Sequence, residues 1–132
     1  MRVALLSYEC ADYSIQLANG LASHCDVLLM LSRASLAEHP APLHPAVRLH
    51  PFDKPRLRQP IRQLQTAASL IRHIRRFRPD IVHLQHGQMW FNLLLPLLRS
   101  YPLVVTVHDP RQHIGDRASR RTPRWMANLV YR

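Results

Sequence analysis

Apolar residues fall along this chain in short unbroken runs that alternate with stretches of helical spacing. Arg2 to Ser7 begins almost at the first residue and reads as a strand buried on both faces, as does Val27 to Leu31 behind Asp26. Between them Ile15, Leu17, Ala18, Leu21 and Ala22 recur at helical intervals and predict a helix ending near Ser23 and His24, weakened at Gly20 by about 1 kcal/mol relative to alanine. Ala46 to Phe52 is a weaker third strand, behind a proline-studded loop from Pro40 to Pro45 that cannot be helical. Leu57, Ile61, Leu64, Ala68, Ile71, Ile74 and Phe77 mark one apolar stripe on a long helix, which Pro79 stops. Asp80 to Gln85 reads as a fourth strand, closed by His86 and Gly87. Met89 to Arg99 carries helix-like apolar content around Pro96, and Leu103 to Val107 is the fifth strand, ended by His108, Asp109 and Pro110.

Buried strands alternating with helices predict an α/β fold, a Rossmann-like doubly wound parallel sheet with right-handed crossovers and strand order 3-2-1-4-5. At 132 residues the chain suits one domain, and it shows no internal repeat. Thr122 and Pro123 look like a helix start, with Trp125, Leu129 and Val130 beginning an apolar face that stops at Arg132 without a termination signal. Residues 1–132 are therefore expected to be the front part of something longer. No apolar run approaches the roughly 18 residues of a membrane span. Glu9 and Asp12 arrive too early for a signal-peptide core, so a cytoplasmic protein is expected.

Eighteen basic residues against eight acidic ones leave a formal charge of +10, which calls for anionic partners: phosphates, acidic lipid or nucleic acid. All but one of the basic residues, Lys54, are arginine. That bias suits bidentate phosphate contact and equally fits a GC-rich genome. Cys10 and Cys25 lie too far apart for a metal-type pair and are too few for a disulfide scaffold, so both are expected to be reduced and structural.

In an open parallel sheet, ligands bind beyond the carboxyl ends of the strands where the strand order reverses, here between strands one and four. Tyr8 to Asp12, Gln85 to Gln88 and His108 to Gly115 converge on that rim. His86 and His108 sit at neighbouring strand tips, where an imidazole can hydrogen-bond a sugar hydroxyl or a phosphate; with nine histidines in the chain, coincidence is the competing reading. His83, inside its strand, reads as a core histidine bonded to backbone. Asp109 orients His108, accepts a proton, or caps the turn before Pro110. Glu9 and Asp12 hold substrate hydroxyls or are ordinary loop carboxylates, and Tyr8, Gly87 and Gln88 complete the candidate binding set. His83, His86, His108 and His113 match no structural zinc spacing, so no metal is expected. The first loop contains no glycine, which removes the dinucleotide fingerprint and argues against an NAD-dependent enzyme.

The stretch PDIVHLQHG from Pro79 to Gly87, followed by PLVVTVHD from Pro102 to Asp109, resembles the N-terminal domain of glycosyltransferase family 4. The opening MRVALLS matches too, and Ser23 to Val27 stands where the family carries a Gly-His-x-Val turn. The resemblance implies one half of a GT-B architecture: an acceptor-side domain whose donor-binding C-terminal partner domain is absent from these residues. It further implies transfer of a hexosyl-type sugar from a nucleotide-sugar donor, with retention of configuration, no cofactor and no bound metal. His108, with Asp109, would lie beside the transferred sugar, and His86 would line the same cleft. Many relatives carry a Gly-Gly pair in the first loop, where this chain has Cys10, Ala11 and Asp12. Without the donor half, the 132 residues alone are expected to be inactive.

The basic face from Arg56 to Arg78 is read in two ways. Relatives with lipid-linked acceptors dock on anionic membrane through this domain, and Arg58, Arg62, Arg72, Arg75 and Arg76 would supply that peripheral contact. The other reading is a solvated outer helix face. Two further alternatives stand beside the transferase: a non-catalytic acceptor- or partner-binding subunit of a split enzyme, and a basic nucleic-acid-binding module. The latter lacks a recognised motif and has few aromatics near its arginines.

Overall fold

The structure, a computed structural model, describes residues 1–106. Five strands, β1 (Arg2–Ser7), β2 (Asp26–Ser32), β3 (Arg48–Phe52), β4 (Ile81–Gln85) and β5 (Leu103–Thr106), make one sheet in the order β3-β2-β1-β4-β5. Every pairing is parallel. The fold is the Rossmann-like α/β arrangement that the alternation of runs predicts.

The pleat explains why these strands read as continuous apolar runs. Val3 and Leu5 of β1 join Val27, Leu29 and Leu31 under α1 (Ala11–Leu21), while Ala4 and Leu6 join Leu28, Met30, Val82 and Leu84 under α3 (Pro60–Phe77). With helices on both faces, neither side of a central strand can be polar. α1 approaches the sheet through Ala11, Ile15 and Ala18, where the two alanines allow a close helix-to-sheet distance.

Three local features differ from the sequence reading. A short helix, α2 (Arg33–Glu38), follows β2 directly, started by the Ser32 hydroxyl, which accepts from the Ser35 amide at 3.2 Å. The apolar stretch after β4 is no single helix: α4 (Met89–Asn92) gives way to a 3₁₀ turn, Leu95–Leu98, because Pro96 has no amide to continue an α-helical ladder. The third difference is on α3. Its buried row is Gln63, Ala67, Leu70, Ile71, Ile74 and Phe77, whereas Ile61 is 72% exposed and Leu57, Leu64 and Ala68 also face solvent. Both rows have helical spacing and merge at Ile71. The inner one wins because the Gln63 amide donates to the Pro55 carbonyl at 2.6 Å, so a polar residue turns inward with its hydrogen bond made.

The cysteines form no disulfide. Cys25 is half-buried and its thiol donates to the Leu21 carbonyl at 3.4 Å, while Cys10 is exposed. No helix among the described residues is long and apolar enough to cross a membrane.

Two substitutions on α3 distinguish the rows. Ile74→Ala should lower the unfolding free energy by about 2–4 kcal/mol, whereas Ile61→Ala should stay within about 0.5 kcal/mol of the parent, both measured by urea denaturation. Equal losses would mean that the outer row is packed.

Candidate functional site

At the carboxyl edge of the sheet, Ser7 pairs with Gln85 and Gln85 with Thr106, so the loops leaving β1 and β4 emerge side by side at the point where the strand order reverses. The topology thus brings together two of the three expected rim segments. The third, including His108 and Asp109, lies outside the described residues, as does His113.

The first loop is built tightly. The Ser7 hydroxyl donates to the Glu9 carbonyl at 2.6 Å, and Cys10 turns through φ 43° to begin α1. A non-glycine residue there pays steric strain that a glycine would not, which is the backbone consequence of lacking a glycine in this loop. The Cys10 carbonyl accepts from the Ser14 amide at 3.1 Å and the Ser14 hydroxyl at 2.8 Å, which holds the turn. Tyr8 contributes no open ring to the rim. It is buried in edge-on contact with Phe52, ring centroids 4.9 Å apart, and burial pushes its phenol well above the usual range, so it stays neutral. Its carbonyl accepts from the Ser32 hydroxyl at 2.7 Å, fastening the loop to β2.

Glu9 and Asp12 are both exposed, and each meets a basic side chain. Glu9 pairs with Lys54 from the loop after β3, a residue the sequence reading did not single out. Asp12 lies 3.3 Å from His39 Nδ1. The Glu9–Lys54 pair bridges the loops after β1 and β3, which no spacing in the sequence reveals.

Leaving β4, the chain makes a sharp left-handed step at His86, φ 78°, while the His86 amide still donates to the Thr106 carbonyl at 3.2 Å. The imidazole-bearing residue is exposed at the strand tip, as the rim reading expects. Gly87 follows, half-buried. The Gln88 side-chain oxygen accepts from the Phe91 amide at 2.8 Å and so starts α4, and its nitrogen reaches the Gln63 oxygen at 3.5 Å.

Below the rim lies a polar cluster around His83, which the sequence reading takes for a core histidine bonded to backbone. His83 is half-buried and meets the Thr106 hydroxyl at 2.7 Å, with the Gln85 amide 3.4 Å from the same ring nitrogen. The partner of His83 is therefore a side chain, not the backbone group expected. Gln85 itself is 1% exposed. Burial lowers the His83 pKa, so its ring is neutral near pH 7 and can exchange hydrogen-bond roles with Thr106 without a buried charge. Among the described residues no three metal-ligating side chains come together.

A second histidine pair sits away from the rim. His50 stacks on His73 at 3.8 Å between centroids, and the His50 pKa is lowered by burial first, then by His73 and Arg33.

A family model described as a glycosyl transferase 4-like domain matches residues 10–132. No curated protein matches the chain.

Two outcomes follow from this geometry. His50 and His83 have folded-state pKa values below those of the unfolded chain, so the unfolded state binds more protons as pH falls through the region just under 6.5. Stability is whole above that region and declines below it. Thermal melts should fall between pH 7.5 and pH 5, with a shallower decline in a His50→Gln, His83→Gln double variant; identical slopes refute the assignment. At the β4 tip, His86→Gly should match or exceed the parent in Tm, whereas His86→Val should lower stability by about 1 kcal/mol or more, because a β-branched residue resists positive φ.

Proposed function

The chain belongs to the glycosyl transferase 4-like family, and from that membership we propose that it is the acceptor-side domain of a glycosyltransferase using a nucleotide-sugar donor. The observation that carries this reading is the family match over residues 10–132, on a fold whose β1 and β4 loops meet at the switch point of the sheet. In this reading the donor diphosphate is held by a second domain outside these 132 residues, and the cleft between the two is where transfer takes place.

The chemistry asks for two things. The departing diphosphate needs positive charge or amide dipoles, and the sugar needs fixed hydrogen bonds as positive charge develops at its anomeric carbon. The rim supports the second need. His86, exposed on a backbone step tied to β5, offers an imidazole at a fixed place, and His108 and Asp109 follow two residues after β5 in the sequence. Glu9 and Asp12, both exposed, would accept from acceptor hydroxyls once Glu9 releases Lys54 and Asp12 releases His39. In transfer, an acceptor oxygen bonds to the anomeric carbon as the bond to the diphosphate oxygen breaks. With retention, attack and departure share one face, and the acceptor's proton leaves with the diphosphate. His108 and His86 orient the sugar during that exchange. Tyr8, buried and neutral, supports the loop's shape.

The test is a transfer assay on the full-length protein with a panel of nucleotide sugars. His108→Ala should lower kcat by about 100-fold or more while moving Tm by no more than about 2 °C. His86→Gly, which keeps the backbone at ease, should lower kcat/KM without loss of stability. The 132 residues alone should bind an acceptor and transfer nothing. Parallel losses of turnover and Tm in His108→Ala would make that residue structural, and transfer by the isolated residues would refute the two-domain reading.

A further inference from the structure

The register of β1 and β4 fixes where the two rim loops start, but not where their outer parts lie. A chain of polar contacts reaches those outer parts from beside the sheet. Glu9, in the loop after β1, pairs with Lys54, in the loop after β3. One residue on, the Pro55 carbonyl accepts from the side-chain amide of Gln63, in the first turn of α3, at 2.6 Å. The Gln63 side-chain oxygen in turn meets the Gln88 side-chain nitrogen at 3.5 Å. Gln88 stands two residues after His86 in the loop after β4. The two loops of the candidate site are thereby joined a second time, through a third loop and one helix turn.

The two ends of this chain of contacts differ in kind. The Glu9 and Lys54 side chains are 65% and 36% exposed, so water and any hydroxyl-bearing ligand compete for that pair. Gln63 is 2% exposed, in a helix row otherwise made of Ala67, Leu70, Ile71, Ile74 and Phe77. A methionine would fill the same place with no polar atoms to satisfy, so burial alone does not call for glutamine. What the amide adds is direction: its nitrogen is committed to Pro55 and its oxygen to Gln88, which sets two loops against one helix turn.

The segment between the ends is stiff. The Gln59 amide donates to the Arg56 carbonyl at 2.9 Å, the Arg56 amide to the Gln59 side-chain oxygen at 3.3 Å, and the Gln63 main-chain amide to the Gln59 carbonyl at 2.9 Å. Beyond Gln63, the Gln88 side-chain oxygen holds the Phe91 amide, and the Gln88 main-chain amide donates to the Asn92 side chain at 3.2 Å. A shift of the Gln88 side chain therefore acts on the same loop that carries the left-handed step at His86.

We infer that Gln63 is a positioning residue that couples the two rim loops: release of Lys54 from Glu9 loosens the loop after β3, and Gln63 passes that release to Gln88 and the His86 step. The coupling stands on the contacts alone. Its use in catalysis rests on the proposed function, in which an acceptor hydroxyl taken up by Glu9 displaces Lys54 and so resettles the His86 loop as the acceptor binds. A glutamine that merely anchored α3 would give effects that add to those at Lys54.

Hydrogen exchange read by mass spectrometry on the full-length protein, without substrate, tests the coupling. Lys54→Met should speed exchange across residues 86–92 by about threefold or more, the lower part of the range for groups in one network. Gln63→Met should speed it as well, and adding Lys54→Met to that variant should change residues 86–92 no further. Gln88→Met, which removes the same link from its half-buried end, should likewise abolish the response to Lys54→Met, so a folding defect in the Gln63 variant does not decide the result. Exchange at residues 86–92 that ignores Lys54→Met in the parent, or effects of Lys54→Met and Gln63→Met that add, overturns the inference. In the transfer assay, Gln63→Met should raise the acceptor KM about threefold or more and leave the donor KM at its parent value, a split that a merely structural role would not produce. An unchanged acceptor KM with the exchange coupling intact would count against the proposed acceptor side of this rim and not against the coupling.

Discussion

The two-sided burial of β1 is the constraint on which everything else rests. β1 is hydrogen-bonded to β2 on one side and β4 on the other, and its residues Ala4 and Leu5 have no exposure on either face. A parallel strand in that position must be apolar along its whole length, and its neighbours must reach it through crossovers that lay helices over both faces. Because β1 and β4 run in register from Val3 opposite Ile81 to Ser7 opposite Gln85, their chains leave the sheet at one level. The candidate site is a consequence of that register.

Polar groups are placed where the apolar ladder ends. Ser7, Ser32 and Gln85 close their strands while remaining buried, and Ser7 and Ser32 direct their hydroxyls to carbonyls of the first loop. These bonds take up backbone groups that a turning chain would otherwise leave unpaired, which lets the loop stay tight without a glycine. Left-handed steps occur in both rim loops, at Cys10 before α1 and at His86 after β4. Such conformations persist only where surrounding bonds hold them, and they concentrate where a protein positions ligands.

α3 links this rim to the basic surface. Its inward Gln63 bonds the loop after β3 and approaches Gln88 on the loop after β4, so one buried amide ties two neighbouring segments. The same inward turn sends Ile61 and Leu64 outward. A helix positioned by a polar contact has exposed apolar side chains that a helix positioned only by its greasiest stripe would have buried.

The periodicity of the chain by itself determined the five strands, their parallel arrangement and their order, because runs such as Val3 to Leu6 and Val27 to Leu31 are compatible only with burial on both faces. It also placed His86 at a strand tip, since a polar pair closing an apolar run marks the end of pairing. The paired stretches Pro79 to Gly87 and Pro102 to Asp109 pointed to the family. What the pattern did not decide was which of two adjacent rows on α3 packs inward, that Tyr8 turns into the core, that Lys54 reaches Glu9, or that His83 is bonded to Thr106. The last three depend on contacts between residues 20 or more positions apart, and the first on the bond from Gln63 back to Pro55 in the loop before the helix. Local spacing specifies which face of an element is apolar, but a rotation of one residue along a helix, or the partner of a buried polar group, is decided only when distant segments meet.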